Sequence, residues 1–213
     1  MSEVQLPEGW VWKKLSKITH IITDGDHQAP PKSETGIPFI VISNIKNNRI
    51  DFSQARFVPE GYYDSIKDLR KARKGDLLYT VTGSYGIPVL INTEEKFCFQ
   101  RHIGLIKPDK QLVIPEYLFH ALSSPNVYNQ ATAVATGTAQ LTVPLSGLRN
   151  FTIPLPPLPV QHQIVARIEE LFSELEAGVN ELKTALSRLK TYRQAVLHPL
   201  RRNGASNSRP SEV

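Results

Sequence analysis

Cysteine is almost absent from the sequence, which has Cys98 alone among its 213 residues. A single cysteine excludes an intrachain disulfide and a zinc site built from cysteines. It lies in the apolar stretch KFCFQ, where we expect a small buried side chain. Without a disulfide framework, the sequence favours a protein of the reducing cytoplasm.

Long apolar runs are also missing. No stretch approaches the roughly 20 residues that a membrane-spanning helix needs. The opening MSEVQLPEGWVWKK lacks the basic start and apolar block of a secretory signal. We therefore expect a cytoplasmic protein with no membrane partner.

Motifs typical of catalysis are missing as well. The sequence has no phosphate loop G-x-x-x-x-G-K-[ST], no dinucleotide fingerprint G-x-G-x-x-G, no nucleophile elbow G-x-S-x-G and no H-E-x-x-H. The glycine-rich loop and the Asn/Asp-Pro-Pro-aromatic tetrapeptide expected of an amino-methyltransferase are absent too. The sequence therefore favours a protein that binds rather than catalyses.

One pattern resembles a metal-dependent nuclease. Asp76 is followed by Glu94, Glu95 and Lys96, and two carboxylates with a lysine can hold a divalent ion and the attacking water. The stretch NTEEK between two apolar runs is also typical of a charged hairpin turn. A nuclease acting alone is thus an alternative hypothesis.

The charge is mildly basic and unevenly distributed. The net charge is +5 and the sequence pI about 9.3. Residues 1–159 carry 17 Lys and Arg and 14 Asp and Glu, a difference of +3, whereas residues 160–197 carry five of each. The first part of the chain is therefore compatible with a polyanionic partner.

Residues 1–151 are predicted to form a mixed, strand-rich domain, which places the chain in the α+β class. Apolar runs of strand length alternate with turn sequences: IPFIVI, DLLYTV, IPVLI and HIGLI. PEYLFHALSSP predicts a short helix that starts at a proline. A proline-rich joint follows at 152–159, where four prolines restrict the backbone: Pro154, Pro156, Pro157 and Pro159.

Residues 160–197 predict one long α-helix with a heptad repeat, because apolar or small residues recur every three and four positions. Three apolar columns give a wide face that needs a partner. The side chains predicted for this dimerisation face are Ile164, Ile168, Leu171, Phe172, Leu175, Val179, Leu182, Leu186, Leu189 and Val196. The polar segment 198–213 is predicted to be disordered.

A second copy of the helix, running antiparallel, is a suitable partner for this face. A register that pairs Leu182 with Gly178 also pairs Leu175 with Ala185. Each small residue then faces a leucine, which evens out the layer volumes. The same register brings Glu181 near its own copy, which is unfavourable. The alternative is a long helix that folds back on its own domain.

Four polar loops of the first part hold candidate DNA-reading side chains: 23–36, 80–88, 99–104 and 135–142. Arginine suits guanine edges, glutamine suits adenine edges, and a carboxylate can accept from cytosine. The predicted DNA-binding residues are Asp26, His27, Gln28, Lys32, Thr82, Ser84, Tyr85, Arg101, His102, Thr138 and Gln140. The prediction requires that the loops converge on one face, since each residue alone is equally typical of a solvated loop.

Taken together, these segments resemble one half of a specificity (S) subunit of a type I restriction–modification system. LPEGWVWKKLSKI resembles the opening segment of that family, and DGDHQAPP and GIPFIVISNI resemble the start of its target recognition domain. The stretch from GTAQLTVPL through the proline joint to the end of the helix resembles the end of that domain and the conserved spacer helix. The most specific part is the proline–glutamine joint followed by IVARIEELF.

The resemblance implies a non-catalytic protein that reads one half of a split double-stranded DNA target. Family S subunits hold two recognition domains apart with two antiparallel helices, and dock methyltransferase subunits and, in the holoenzyme, restriction subunits. S-adenosylmethionine, ATP and Mg²⁺ would belong to those partners, so no cofactor is expected here.

With one recognition domain and one helix in this sequence, we expect a homodimer that reads an interrupted palindrome. Pairing with a different half, and a coiled-coil interaction protein without a DNA role, are the alternatives. The sequence specifies neither the target bases nor the spacer length.

Overall fold

The computed structural model describes residues 6–204, with side chains through residue 195. The chain divides after Val165 into two compact units. The strands are β1 (Val11–Lys14), β2 (Thr19–Asp24), β3 (Ile37–Ile40), β4 (Ile45–Lys46), β5 (Arg49–Ile50), β6 (Arg56–Val58), β7 (Leu77–Thr80), β8 (Pro88–Leu90), β9 (Cys98–Phe99), β10 (Ile103–Pro108) and β11 (Thr152–Leu155). The α-helices are α1 (Glu60–Ser65), α2 (Pro115–Leu122), α3 (Pro125–Val134), α4 (Leu145–Arg149) and α5 (Leu158–Gly204).

The largest sheet is antiparallel, in the order β2-β10-β7-β8. Side chains alternate across it, as the period of two in a β-strand requires. Along β7, Leu77 and Tyr79 enter a core that also contains Leu118 of α2. Leu78 points into a second core with Leu105 of β10. Because both faces are buried, these strands are continuous apolar runs in the sequence.

A second sheet has the order β6-β3-β9, with β3 antiparallel to β6 and parallel to β9. The second core includes Ile40 of β3 and Phe99 of β9. Only residues 100–102 separate β9 from β10, so this short turn joins the two larger sheets. The mixed, strand-rich domain followed by a long helix confirms the predicted fold class.

The proline-rich segment is not a separate joint. Residues 152–155 form β11, which pairs antiparallel with β1 and sets Pro154 opposite Trp12. A proline is tolerated there because β11 lies at the edge of a two-stranded sheet. Pro159 lies in the first turn of α5, where a missing N–H costs no helical hydrogen bond. The compact first unit extends to Val165 rather than ending at residue 151.

Helix α5 begins two residues before the predicted start and continues to Gly204. It therefore includes residues 198–204, where the sequence predicted the beginning of a disordered segment. Extending a formed helix costs far less than nucleating one, so a polar composition alone does not end it. Residues 205–213 of the predicted disordered segment lie outside the described residues.

The apolar face of α5 is exposed beyond residue 170, with Leu182 at 72%. Val196 lies outside the residues whose side chains are described. Within the described part of the chain, no helix is long and apolar enough to span a membrane. The exposed residues of the predicted dimerisation face are Leu171, Phe172, Leu175, Val179, Leu182, Leu186 and Leu189.

Candidate nucleic-acid interface

The turn at residues 100–102 is held by backbone hydrogen bonds to three different segments. Its first N–H donates to the carbonyl of Ile40 at 3.0 Å, and its second N–H donates to the carbonyl of Asp26 at 2.9 Å. Its last carbonyl accepts from the N–H of Val81 at 2.9 Å. The side chains of the turn therefore project from a fixed backbone, as a specific binding site requires.

An open cavity of about 840 Å³ lies beside this turn. Residues from three of the four predicted loops line it, together with part of the segment 41–45. Arg56 on β6 supplies a positive charge. The neutral polar side chains in the lining are Ser43, Thr82, Ser84, Gln100, His102 and Gln140.

Two of these loops meet at Gly83, whose φ is +74°. A Cβ at this position would lie 2.8 Å from Nε2 of Gln140, so glycine permits both the backbone conformation and the close approach. The N–H of Gly83 donates to the carbonyl of Leu141 at 2.9 Å. Thr142 Oγ1 donates to Thr82 Oγ1 at 3.2 Å. Loops 80–88 and 135–142 thus form one wall of the cavity.

Gln100 and His102 form a hydrogen-bonded pair in this lining. Nε2 of Gln100 lies 3.2 Å from Nδ1 of His102. Burial, followed by the nearby positive charge of Arg101, lowers the pKa of His102 from its ordinary 6.5. The imidazole is therefore neutral at pH 7, with one donor and one acceptor nitrogen.

Asp26 does not line this cavity, and its side chain lies near Arg70. Its side chain is 14% exposed, and its Oδ1 lies 3.8 Å from Nη2 of Arg70. Arg70 also donates to the carbonyls of Asp24 and Gly25. Gly25 approaches β9 so closely that a Cβ would lie 2.0 Å from the carbonyl oxygen of Phe99. These contacts favour a structural role for Asp26.

Tyr85 supports its loop from outside the cavity. Its ring stacks on Tyr128 of α3, with centroids 5.8 Å apart and an interplanar angle of 12°. Its hydroxyl donates to Thr132 Oγ1 at 3.2 Å. The position of Tyr85 therefore anchors the loop 80–88 on α3.

The other predicted DNA-binding side chains are exposed and do not line the cavity. His27 Nε2 lies 2.8 Å from Asp24 Oδ2. Contact between these exposed side chains and DNA stays a prediction. The side chains concerned are His27, Gln28, Lys32, Arg101 and Thr138.

The sequence prediction did not include Ser43 and Arg56, which also line the cavity. Ser43 follows β3, where the change from the apolar IPFIVI to the polar SNI was a usable signal. Arg56 reaches the cavity because β6 pairs with β3, and it lies 5.1 Å from the centroid of the Phe39 ring. A local sequence pattern does not reveal a residue that reaches the cavity through the pairing of two strands.

The nuclease pattern does not assemble into a carboxylate site. Asp76 Oδ2 accepts from Lys107 Nζ at 2.5 Å and from the N–H of Arg73 at 2.9 Å. Glu94 is exposed and lies 3.8 Å from Lys74. Among the described residues, no three His, Cys, Asp or Glu side chains are placed to hold a metal ion. Asp76 is therefore best explained as half of a buried ion pair.

Comparison with known families assigns the chain. The model of the type I restriction modification DNA specificity domain matches residues 7–184. This match covers most of the sequence, so the chain belongs to that family, and the predicted resemblance is confirmed.

Named relatives agree with this assignment. The type I restriction enzyme EcoKI specificity subunit of Escherichia coli is 28% identical over 220 residues, which cover 100% of this chain and 46% of that protein. The EcoBI specificity subunit, also of Escherichia coli, is 26% identical over 198 residues, which cover 92% of this chain and 42% of that protein. The chain therefore spans a little under half the length of these curated relatives.

Solved structures share the fold. The HsdS subunit from Thermoanaerobacter tengcongensis superposes with a TM-score of 0.60 at 23% identity, covering 92% of this chain and 46% of that one. A chain from a study of complex assembly and conformational transition in the type I R-M system gives a TM-score of 0.67 at 23% identity, covering 92% and 47%. The shared architecture is the strand-rich domain followed by the long helix.

Proposed function

We propose that this chain is a DNA-recognition subunit of a type I restriction–modification enzyme, which reads one half of a split target and performs no chemistry itself. The observation that carries the proposal is the cavity on which loops 80–88, 100–102 and 135–142 converge. Family membership supports the same conclusion. The sequence prediction asked that four polar loops converge on one face, and three of them line this cavity, which supports the proposal.

The lining has the chemistry of base reading. The amides of Gln100 and Gln140 each carry donors and an acceptor, and the hydroxyls of Thr82 and Ser84 can do either. These groups match the hydrogen-bonding edges that bases display in the major groove. Arg56 suits a guanine edge or a phosphate. The +3 balance of residues 1–159 adds a sequence-independent attraction to DNA.

Helix α5 is the proposed dimerisation element. Seven of the ten side chains predicted for the dimerisation face are exposed, which supports the proposal. Burying one such side chain contributes on the order of 1.5–3 kcal/mol, so a partner helix would bring a large gain. We propose an antiparallel homodimer in which two recognition domains read an interrupted palindrome. A heterodimer with a different half is the competing outcome.

The remaining partners are methyltransferase subunits, and restriction subunits in the holoenzyme. S-adenosylmethionine, ATP and Mg²⁺ act on those subunits in this proposal, and the chain itself carries no cofactor. The relatives are named specificity subunits of restriction enzymes, which supports the assignment of the chemistry to other subunits.

The test is selection of bound DNA from a randomised duplex library by the full chain with its methyltransferase subunits. We expect a motif in two half-sites separated by a fixed gap, with symmetric halves for a homodimer. Gln140→Ala should weaken a base preference, while Gln111→Ala, an exposed glutamine outside the cavity, serves as the matched control. Binding with no sequence preference in wild-type complex would refute the proposal.

A further inference from the structure

Arg56 is the one side chain with a permanent charge among the described residues that line the cavity. The other polar groups of the lining are hydroxyls, amides and the imidazole of His102. A guanidinium stays protonated and offers only donors, so its hydrogen-bonding role depends on neither a tautomer nor an amide orientation. This part of the lining therefore favours an acceptor, above all one that carries negative charge.

The charge of Arg56 has no partner within the protein. In the part of the chain that the structure describes, this residue forms no ion pair and no side-chain hydrogen bond. By contrast, Nη2 of Arg70 lies 3.8 Å from Oδ1 of Asp26, and Nη2 of Arg73 lies 2.7 Å from Oδ2 of Asp68. Arg56 is also exposed, so its donors are available to a ligand.

The fold restricts the position of the guanidinium. Arg56 on β6 lies directly opposite Phe39 on β3, and residues that face each other across an antiparallel pair project to the same side. Cζ of Arg56 lies 5.1 Å from the centroid of the Phe39 ring, and Phe39 is 2% exposed. This cation–π contact favours one placement of a flexible side chain, so less entropy is lost when a ligand binds.

We infer that Arg56 is a phosphate-binding residue of this surface, which holds a phosphodiester of the DNA backbone beside the base pairs that the cavity reads. This inference rests on the proposed DNA-reading function. It adds a residue that fixes the position of the chain on the duplex without reading its sequence.

A phosphate suits Arg56 better than a guanine edge does. DNA that covers the cavity takes water away from the guanidinium, and a cation without a counter-charge is costly to desolvate. A phosphodiester supplies a full negative charge and oxygens for a bidentate contact. Guanine supplies two acceptors but no net charge. Because Arg56 has no carboxylate partner in the described chain, the counter-charge has to come from the ligand.

The salt dependence of DNA binding tests this contact in the full complex of the chain with its methyltransferase subunits. Each phosphate contact contributes about 0.9 to the slope of log affinity against log salt concentration. We expect Arg56→Gln to reduce that slope by about 0.9 for each copy of the chain in the complex, while the selected DNA motif stays the same. Arg56→Lys keeps the positive charge and should keep the slope.

Arg49→Gln is the matched control for the loss of charge. Arg49 is an exposed arginine on β5 that does not line the cavity, and its replacement changes the net charge by the same amount. It should change the slope much less than Arg56→Gln does. Equal changes in the two variants would mean that the overall charge acts, rather than a contact at the cavity.

A neutral substitution in the DNA backbone locates the phosphate. In a series of target duplexes, each with one phosphate replaced by methylphosphonate, several positions should weaken binding of the wild-type complex. At one of these positions in each half-site, the substitution should no longer weaken binding of the Arg56→Gln complex. The comparison is between duplexes with the same protein, so a change in the stability of the variant does not affect it.

Three further results would overturn the inference. A preference lost at a single base pair, with an unchanged slope, would make Arg56 a base-reading residue. A slope and a methylphosphonate profile equal to those of the wild type would mean that Arg56 does not contact DNA. Either result leaves the proposed function standing, whereas wild-type complex that selects no motif would refute the proposed function and the inference with it.

Discussion

Gln161 of α5 accepts a hydrogen bond at its Oε1 from the backbone N–H of Ile114, at 2.9 Å. The same amide donates from Nε2 to the carbonyls of Leu112, at 3.0 Å, and of Pro156, at 2.9 Å. The side chain is fully buried. One glutamine thus links the beginning of α5 to the segment before α2 and to the chain that follows β11.

Replacing Gln161 should therefore destabilise the first unit. Gln161→Ala leaves three backbone groups, at Leu112, Ile114 and Pro156, without this partner, and an unsatisfied buried group costs about 1–3 kcal/mol. Relaxation of the neighbouring backbone and entry of water can offset part of this cost. We therefore expect the free energy of unfolding to fall by about 2–4 kcal/mol. Urea titration followed by circular dichroism measures this value.

Gln163→Ala is the matched control, because Gln163 lies on the same helix and is exposed. It should change the unfolding free energy by less than about 0.5 kcal/mol. Equal effects of the two substitutions would show that the buried amide makes no special contribution.

The exposed face of α5 predicts self-association. Leu182→Asp places a charge in the middle of the apolar columns, where pairing would bury it, so we expect the dimer to dissociate at micromolar concentration. Sedimentation velocity of the chain without methyltransferase subunits measures the mass. Ser187→Asp adds the same charge opposite the apolar columns and should stay dimeric. A wild-type monomer would contradict the prediction.

The prolines before α5 should set the spacing of the two half-sites. Pro156 is buried, and the carbonyl of Pro157 accepts from the N–H groups of Val160 and Gln161 at 2.9 and 3.1 Å. Replacing both prolines with glycine loosens this backbone. We expect the complex to accept a wider range of gap lengths in a series of DNA duplexes.

Pro59→Gly changes an exposed proline before α1 and is the control for this experiment. It should leave the preferred gap as it is. If the variant with both prolines replaced keeps the same gap preference, backbone stiffness at this position does not determine the spacing between the half-sites.

The thiol of Cys98 should be inert in the folded protein. Burial, followed by the charge of Asp26, raises its pKa to about 12, and the residue is 2% exposed. Ellman's reagent at about pH 8 should not react until guanidinium chloride unfolds the chain, when the pKa returns to about 8.5. Rapid reaction of native protein would contradict the burial.

The raised pKa of Cys98 also makes the free energy of unfolding depend on pH. The folded pKa lies above the unfolded one, so the unfolded chain loses the proton first as the pH rises. The stability from the protonated thiol is fully present below about pH 8.5 and is lost as the pH rises toward the folded value of about 12. Cys98→Ser offers the comparison in the same titration.

The strands of the first unit were predictable because they are buried on both faces. Runs such as DLLYTV have no polar residue to interrupt them, and β7 indeed lies between two cores. The role of the prolines was not predictable. A proline stiffens any segment, and only the pairing of β11 with β1 shows that Pro154 lies in an edge strand.

The candidate site was predictable in part. Loops that carry Thr82, His102 and Gln140 do line one cavity. Asp26 looked equally suitable in the sequence, but its carboxylate faces Arg70, a residue distant along the chain. Arg56 reaches the cavity through a strand pairing. Contacts between distant segments leave no local signature, and they decide which polar residues face a ligand.

The backbone hydrogen bonds of the turn at residues 100–102 have a consequence for its side chains. Its connections to Ile40, Asp26 and Val81 use main-chain atoms alone. Side chains at positions 100 and 102 can therefore be exchanged while the anchoring remains. In the proposed function, new base preferences would arise there by point substitution, and a library randomised at these two positions tests this on an unchanged scaffold.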